Sequence, residues 1–212
     1  DTSFAAAAEG VVAIYTAEDV RHLGLLPVQV AIRPRPLLAD GQVAHAGEAV
    51  AMVVATDRYK AQDAAELVFV DYEDQVPVIG LKDALVGSVK AHDDMDSNVI
   101  ISWAAGPFGD EEAIAATRAG INASKERADA IVVSLEMTNQ RLIPTAMEPR
   151  SVIAEWNAGY SEFRVHTSTQ IAHAVAGAIA KVFGLPNSSV HLTAPEVGGG
   201  FGAKLNIYPD EI

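Results

Sequence analysis

The chain has 212 residues, 50% of them apolar and 20% charged, an ordinary globular composition long enough for one large domain or two small ones. Fifteen Lys and Arg stand against 28 Asp and Glu, a net charge of −13, and so acidic a surface repels phosphate backbones and argues against nucleic-acid binding. With no cysteine, disulfides, a thiol nucleophile and thiolate ligands for iron–sulfur clusters or structural zinc are excluded within the chain.

No apolar run approaches the roughly 18 residues of a membrane span. The start, "DTSFAAAAEGVV", has neither an initiator Met nor a basic n-region, so we expect it to be cut from something longer. A cytoplasmic location fits the lack of cysteine.

In chain order, "GVVAIYT" reads as a strand that runs into Thr16-Ala17-Glu18-Asp19, a capping-box-like helix start. "EAVAMVVAT" (48–56) is apolar on both faces, as a buried strand would be. Asp57 is placed to cap an Ala-rich helix over 58–66, and "LVFVDYE" (67–73) alternates like a half-exposed strand. Between them, "IRPRPLLADGQ" (32–42) reads as loop from its prolines and Asp-Gly. Residues 1–85 are therefore expected to form one α/β unit. The stretch 86–109, with Trp103, Gly106, Pro107 and Gly109, reads as a linker, and 110–129 as a helix with an acidic start.

From residue 130 a second unit is expected. "AIVVSLEM", "SVIAEW" and "EFRVHTS" read as strands, the last two joined by a turn at Asn157-Ala158-Gly159. A helix over 169–183 follows, with Ile171, Val175, Ile179, Val182 and Phe183 on one stripe. Ser168 or Thr169 caps it, Gly184 ends it and Pro186 prevents continuation. "SVHLTA" (189–194) is a strand that leads into "APEVGGGFGAKLN" (194–206). The fold class is thus mixed α+β.

That last segment puts four glycines within five positions, broken only by Phe201. Glycine costs about 0.5–1 kcal/mol relative to alanine in regular structure, so such a run marks positive φ or a close approach. As a P-loop it fails, because Ala203-Lys204-Leu205 offers no hydroxyl for Mg²⁺. As a dinucleotide fingerprint, Gly198-x-Gly200-x-x-Ala203 matches formally, but Pro195 and Glu196 separate the strand from the first glycine. A plain structural turn and a bare backbone set against a bulky cofactor remain.

Other candidates are weaker. "DMDSNV" (94–99) mimics a calcium loop, but Val99 stands where Gly is needed and Ala105 where Glu is needed. The six histidines show no HExxH pattern, and no residue is assigned as a direct metal ligand. Gln170 lies in the expected first helical turn, off the apolar stripe, with its carboxamide at a helix N-terminus that favours anions. Spacing alone favours reading it as an exposed N-terminal Gln, and Glu148, in "TAMEPRS", as a surface salt-bridge former.

Together these pieces resemble the large, molybdenum-binding subunit of the xanthine oxidase type of molybdenum hydroxylases, with the aerobic carbon monoxide dehydrogenase branch nearest. "GEAVAMVVATDRYKAQDAAELVFVDYEDQVPVI" looks like that family's hammerhead α/β domain, placed at 1–85. "AMEPRSVIAEW" looks like the opening of its molybdopterin-binding region. "STQIAHAVAGAIAKVFGLPNSSVHLTAPEVGGGFGAK" is similar to its cofactor segment, down to the distance between the Gln and the glycines. On this reading 86–129 is a linker and helix, and 130–212 the first part of the molybdopterin-binding domain.

The resemblance implies that the Gln170 amide lies beside a molybdenum oxo ligand and that the backbone of Gly200, Phe201 and Gly202 packs against the metal's equatorial face. It implies a molybdenum–molybdopterin cofactor, in its cytosine dinucleotide form. It also implies an iron–sulfur small subunit carrying [2Fe-2S] and an FAD medium subunit, in a dimer of heterotrimers. The reaction implied is oxidative hydroxylation of carbon monoxide, an aldehyde or an N-heterocycle with water-derived oxygen, electrons passing to those subunits. Purine-oxidising members carry an acidic residue where Leu205 stands, which points away from a purine. The family's large subunit continues well past a point corresponding to Ile212, and most pterin contacts and the general base are expected there. The alternative is a non-catalytic α/β interaction module with a structural glycine turn.

Overall fold

The computed structural model describes residues 1–27, 33–101 and 110–212. These fall into two compact units, one formed by 1–100 with 144–212 and the other by 101–143. Parts of the expected loop 32–42 and linker 86–109 lie outside the described residues.

The first unit opens with a short helix, α1 (Ser3–Ala6), and a two-stranded antiparallel sheet of β1 (Val11–Thr16) and β2 (Ala51–Ala55), with Ile14 opposite Val53. Thr16 and Asp19 form the expected capping box at the start of α2 (Ala17–Val20). Asp19 accepts from the Thr16 amide at 2.7 Å, and that hydrogen bond, with a second from the hydroxyl, holds the carboxyl below its usual pKa. Asp57 caps α3 (Arg58–Ala65) as read, its Oδ1 accepting from the amides of Tyr59 and Lys60, both at 3.0 Å. A further short helix, α4 (Leu81–Val86), ends at Gly87.

Two expectations for this region need correction. β2 is not a buried strand: α3 packs against it, while Met52 on its other side is 48% exposed. Apolar residues on both faces describe what a strand is able to bury, and a two-stranded sheet covered by one helix buries only one face. Residues 67–73 form no strand. Phe69 instead exchanges two backbone hydrogen bonds with Asp1, its carbonyl accepting from the N-terminal amine at 2.7 Å and its amide donating at 2.9 Å.

The later part of this unit is a three-stranded sheet in the order β3 (Val152–Asn157), β4 (Glu162–Thr167), β5 (Val190–Thr193). β3 and β4 are the expected antiparallel hairpin, with Ile153 opposite His166. Its turn is set by the Asn157 side chain, which accepts from the amides of Gly159 (3.1 Å) and Tyr160 (3.3 Å). β4 and β5 are parallel, Val165 opposite Leu192, and such a pair requires a crossover. That crossover is helix α6 (Ala172–Val182).

The apolar stripe of α6 is real but narrower than read. Val175 and Ile179 are buried together with Ala178 and Ala180, whereas Phe183 stays partly exposed against Phe163 at 5.1 Å between ring centroids. The helix stops at Gly184, whose φ is +64°. The Gly184 amide donates to the Lys181 carbonyl and the Leu185 amide to that of Ala180, the Schellman pairing a C-terminal glycine permits.

Leu26 and Leu37 belong to the same buried cluster as Val165, Val175, Ile179, Val190 and Ile207. Leu26 and Leu37, on the loops that follow α2, thus help to build the core beneath α6. The 101–143 unit contains α5 (Glu111–Lys125), capped by Asp110 through a 3.0 Å bond from the Ala113 amide. The strand expected over 130–137 does not form, and Ile131 is 92% exposed. A β-prone run becomes a strand only where another strand pairs with it. Overall the mixed α+β architecture is as expected.

Because Leu26 is buried in the core shared with α6, Leu26→Ala should destabilise the unit by about 2–5 kcal/mol. Amides of α6 should then exchange faster although the substitution lies far away in sequence. Unchanged exchange in α6, measured in the complete protein, would show that the two regions fold independently.

Candidate functional site

β5 ends at Thr193 and delivers the chain into the glycine loop. Gly198, Gly199 and Gly202 have φ of +62°, +90° and +89°, and Phe201, not a glycine, also has positive φ at +49°. Phe201 is 75% exposed. The loop is closed below by the Ala203 amide donating to the Gly200 carbonyl at 2.8 Å and the Leu205 amide to that of Gly202 at 3.2 Å. Among the described residues, the amides of Gly199, Phe201 and Gly202 have no intramolecular acceptor.

Gly200 owes its identity to a close approach. A Cβ there would lie 2.5 Å from Cδ of Gln170, because the Gln170 carboxamide rests on the Gly200 backbone. The residue pair named from sequence is thus brought together directly. Gln170 is exposed, and its carboxamide has no hydrogen-bond partner among the described residues. It sits two residues before α6, not in the first turn, since Ala172 is the first helical residue. The cap expected from Ser168 or Thr169 is absent as such. Instead the Thr169 hydroxyl accepts from the Ile171 amide at 3.2 Å in a local turn.

Gly198 is packed in a different way. A Cβ there would collide with the Glu148 side chain, 2.7 Å from its Cδ, and the Glu148 amide reaches the Gly198 carbonyl at 3.5 Å. Glu148 is therefore a half-buried wall of the loop, not the surface ion-pair former expected from its sequence context. Gly202 differs again: nothing lies within 4 Å of the Cβ it lacks.

Lys204 ties these segments together, and sequence reading passed over it. The residue is 3% exposed, and Nζ donates to the Glu148 carbonyl at 2.9 Å, to the Ser168 hydroxyl at 2.5 Å and to the Val197 carbonyl. An ammonium has three N–H donors, and here each has an acceptor. The Ser168 hydroxyl in turn donates to the Val197 carbonyl at 3.1 Å. The Lys204 carbonyl accepts from the Gln170 amide at 3.0 Å and lies 3.4 Å from the Thr169 hydroxyl. The available signal was the run Thr167-Ser168-Thr169, three adjacent hydroxyl residues at the end of a strand, all of them buried.

The remaining motifs stand apart. Asp94 of the calcium-like stretch is engaged by Arg33 in a bidentate pair at 2.9–3.1 Å. No group of three His, Asp or Glu side chains able to hold a metal occurs among the described residues. No helix among them is long and apolar enough to cross a membrane.

An α+β scaffold that seats a carboxamide on bare glycine backbone, with amides beside it unpartnered among the described residues, has the donors that a cofactor-binding domain needs. Comparison with known families makes this specific. The molybdopterin cofactor-binding domain matches residues 92–212, and the a/b hammerhead domain of aldehyde oxidase and xanthine dehydrogenase matches residues 1–76. The chain belongs to the large, molybdenum-binding subunit family of the molybdenum hydroxylases. It is 34% identical to the carbon monoxide dehydrogenase large chain of Afipia carboxidovorans, over 98% of this chain and 26% of that one. Reconstituted CO dehydrogenase from Oligotropha carboxidovorans superposes with a TM-score of 0.83 at 30% identity, over all of this chain and 27% of that one. Quinoline 2-oxidoreductase from Pseudomonas putida 86 gives 0.82 at 30% identity, over all of this chain and 26% of that one. The chain thus spans about a quarter of the length of the relatives it matches.

The residues present fit a molybdopterin cofactor. The space beside Gly202 is open, the neighbouring amides lack acceptors, and the Gln170 carboxamide is exposed next to them. Anionic oxygens of such a group would find donors here without displacing a side chain.

The glycines differ in what alanine would do to them. Gly198→Ala combines the positive-φ penalty of about 1–2 kcal/mol with overpacking of about 1–3 kcal/mol against Glu148. Gly202→Ala carries the first penalty alone. We predict a lower thermal midpoint for the complete protein with Gly198→Ala than with Gly202→Ala, and equal midpoints would contradict the packing described.

Proposed function

We propose that this chain forms the front of the cofactor-binding subunit of a molybdenum hydroxylase, with the molybdenum cofactor resting against Gly200, Phe201 and Gly202 and the Gln170 carboxamide donating to it. The single observation that carries the reading is the seating of Gln170 on Gly200, which brings an unbonded amide and bare backbone donors to one spot. In the organisation we propose, 1–85 is the hammerhead domain, 86–129 the connection, and 130–212 the first part of the molybdopterin-binding domain.

When bound, the cofactor supplies the two-electron redox centre. This chain's residues supply position and hydrogen bonds. The backbone of Gln170 is fixed from below by the bond from its main-chain amide to the Lys204 carbonyl, which sets the side chain over Gly200. Phe201, held at positive φ, lays the edge of its exposed ring over Gly199 and leaves its amide, like that of Gly202, without an acceptor among the described residues. Preorganised donors of this kind hold charge in place without reorganising during the reaction.

The substrate class we propose is a small molecule with an electron-poor carbon: carbon monoxide, an aldehyde or an N-heterocycle. Relatives named for carbon monoxide and for quinoline support that range. Leu205, exposed beside the loop, offers no acid to a purine. We further propose the cytosine dinucleotide form of the cofactor, an iron–sulfur subunit and an FAD subunit to receive the electrons, and a cytoplasmic dimer of heterotrimers. Without cysteine, these 212 residues supply no thiolate ligand to such a cluster.

The test is Gln170→Ala in the complete enzyme. Truncating an exposed side chain leaves no cavity, so stability should hold. Loss of one preorganised donor should lower kcat by about 10²–10³ in the molybdenum-loaded fraction. An unchanged kcat at full molybdenum content would remove Gln170 from the site.

A further inference from the structure

We infer that Lys204 is the positioning residue of this site: a buried ammonium that sets the place of Gln170 and of the glycine loop together. Its effect on the cofactor rests on the function proposed above, whereas its effect on the loop rests on geometry alone.

The side chain of Lys204 reaches back to the segment before the loop, at the Val197 carbonyl, to the end of β4, at the Ser168 hydroxyl, and to the approach to β3, at the Glu148 carbonyl. Its backbone carbonyl, at the far end of the loop, accepts the Gln170 amide. One residue therefore holds both ends of the 197–204 loop and the backbone of the side chain that rests on it. The two contacts that wedge the loop depend on the same knot. Glu148, which Lys204 grips by its carbonyl, lies against Gly198, and Gln170 lies against Gly200.

Charge makes the arrangement specific. A buried ammonium must satisfy every N–H, because an unpaired charge in the interior is far more expensive than an unpaired neutral group. It therefore tolerates one loop geometry, in which the three acceptors converge. An apolar side chain of the same length would fill the space without choosing among loop conformations. Ser168 and Val197 still satisfy each other through their own hydrogen bond when Lys204 is replaced, so only the Glu148 carbonyl loses a partner in this set. Replacement by Met should thus loosen the loop more than the fold.

The experiment compares Lys204→Met with wild type in the complete enzyme, following amide exchange by segment, molybdenum content, and kcat and KM of the loaded fraction. The expected result is exchange in 197–205 faster by about tenfold or more at its hydrogen-bonded amides, those of Ala203 and Leu205, the scale of one lost charge-assisted hydrogen bond. Exchange within 175–182 of α6 should stay the same. Molybdenum content and kcat should both fall, with KM little changed. Unchanged exchange in 197–205 at full molybdenum content would overturn the inference. So would a uniform rise through the loop and α6 with normal kcat in the loaded fraction, which is the signature of a purely structural lysine. If Lys204→Met yields no folded enzyme, Ser168→Ala decides. It removes one of the three acceptors, and a smaller rise confined to 197–205 supports the inference, whereas no rise overturns it. A wild-type enzyme without molybdenum would defeat the proposed function, and the exchange comparison would still decide the role of Lys204.

Discussion

The site depends on one electrostatic constraint: a lysine ammonium taken out of water must find three acceptors. Removing such a charge from solvent costs several kcal/mol, a penalty that is offset only when the buried N–H groups find hydrogen-bond acceptors. Lys204 finds its three on segments 7, 36 and 56 residues away. Its net contribution to stability is therefore small, and its contribution to geometry is large. The loop cannot drift without breaking a bond that the buried charge requires.

From that constraint the rest of the site follows. With the loop ends fixed, Gly198, Gly199 and Gly202 turn at positive φ, and the loop presents amides that no acceptor among the described residues takes up. The Gln170 carboxamide is then laid on a backbone that has no side chain to push it away. The parallel pair β4 and β5, with α6 crossing between them, brings Ser168 to Gln170 and the loop to the same end of the sheet. This is the carboxyl end of two parallel strands, where ligands gather in sheets of this construction. The hydrophobic core under α6 keeps that end rigid, and Leu26 and Leu37 of the earlier region help to fill it.

Local signals were legible and non-local ones were not. Asp57, the Thr16–Asp19 box, the Asn157 turn and the Gly184 stop each act within a few residues, and each occurs where the sequence indicates. Residues 67–73 and 130–137 carry a strand-like pattern, yet pairing is decided by a second segment that the pattern does not contain. The partnership of Gln170 with Gly200 was legible only through family resemblance, since 30 residues of helix and strand separate them and spacing alone leaves Gln170 an exposed polar residue. Lys204 was hidden for a stronger reason. A lysine after a glycine run reads as a surface charge, and its burial becomes sensible only when three distant acceptors are seen to converge.

The most direct measurement of the central claim is a crystal structure of the complete enzyme loaded with its molybdenum cofactor. The account predicts a cofactor oxygen within about 2.7–3.2 Å of the Gln170 carboxamide nitrogen, with the amides of Phe201 and Gly202 facing the same group. A cofactor bound elsewhere, with Gln170 and the glycine loop still facing solvent, would contradict it.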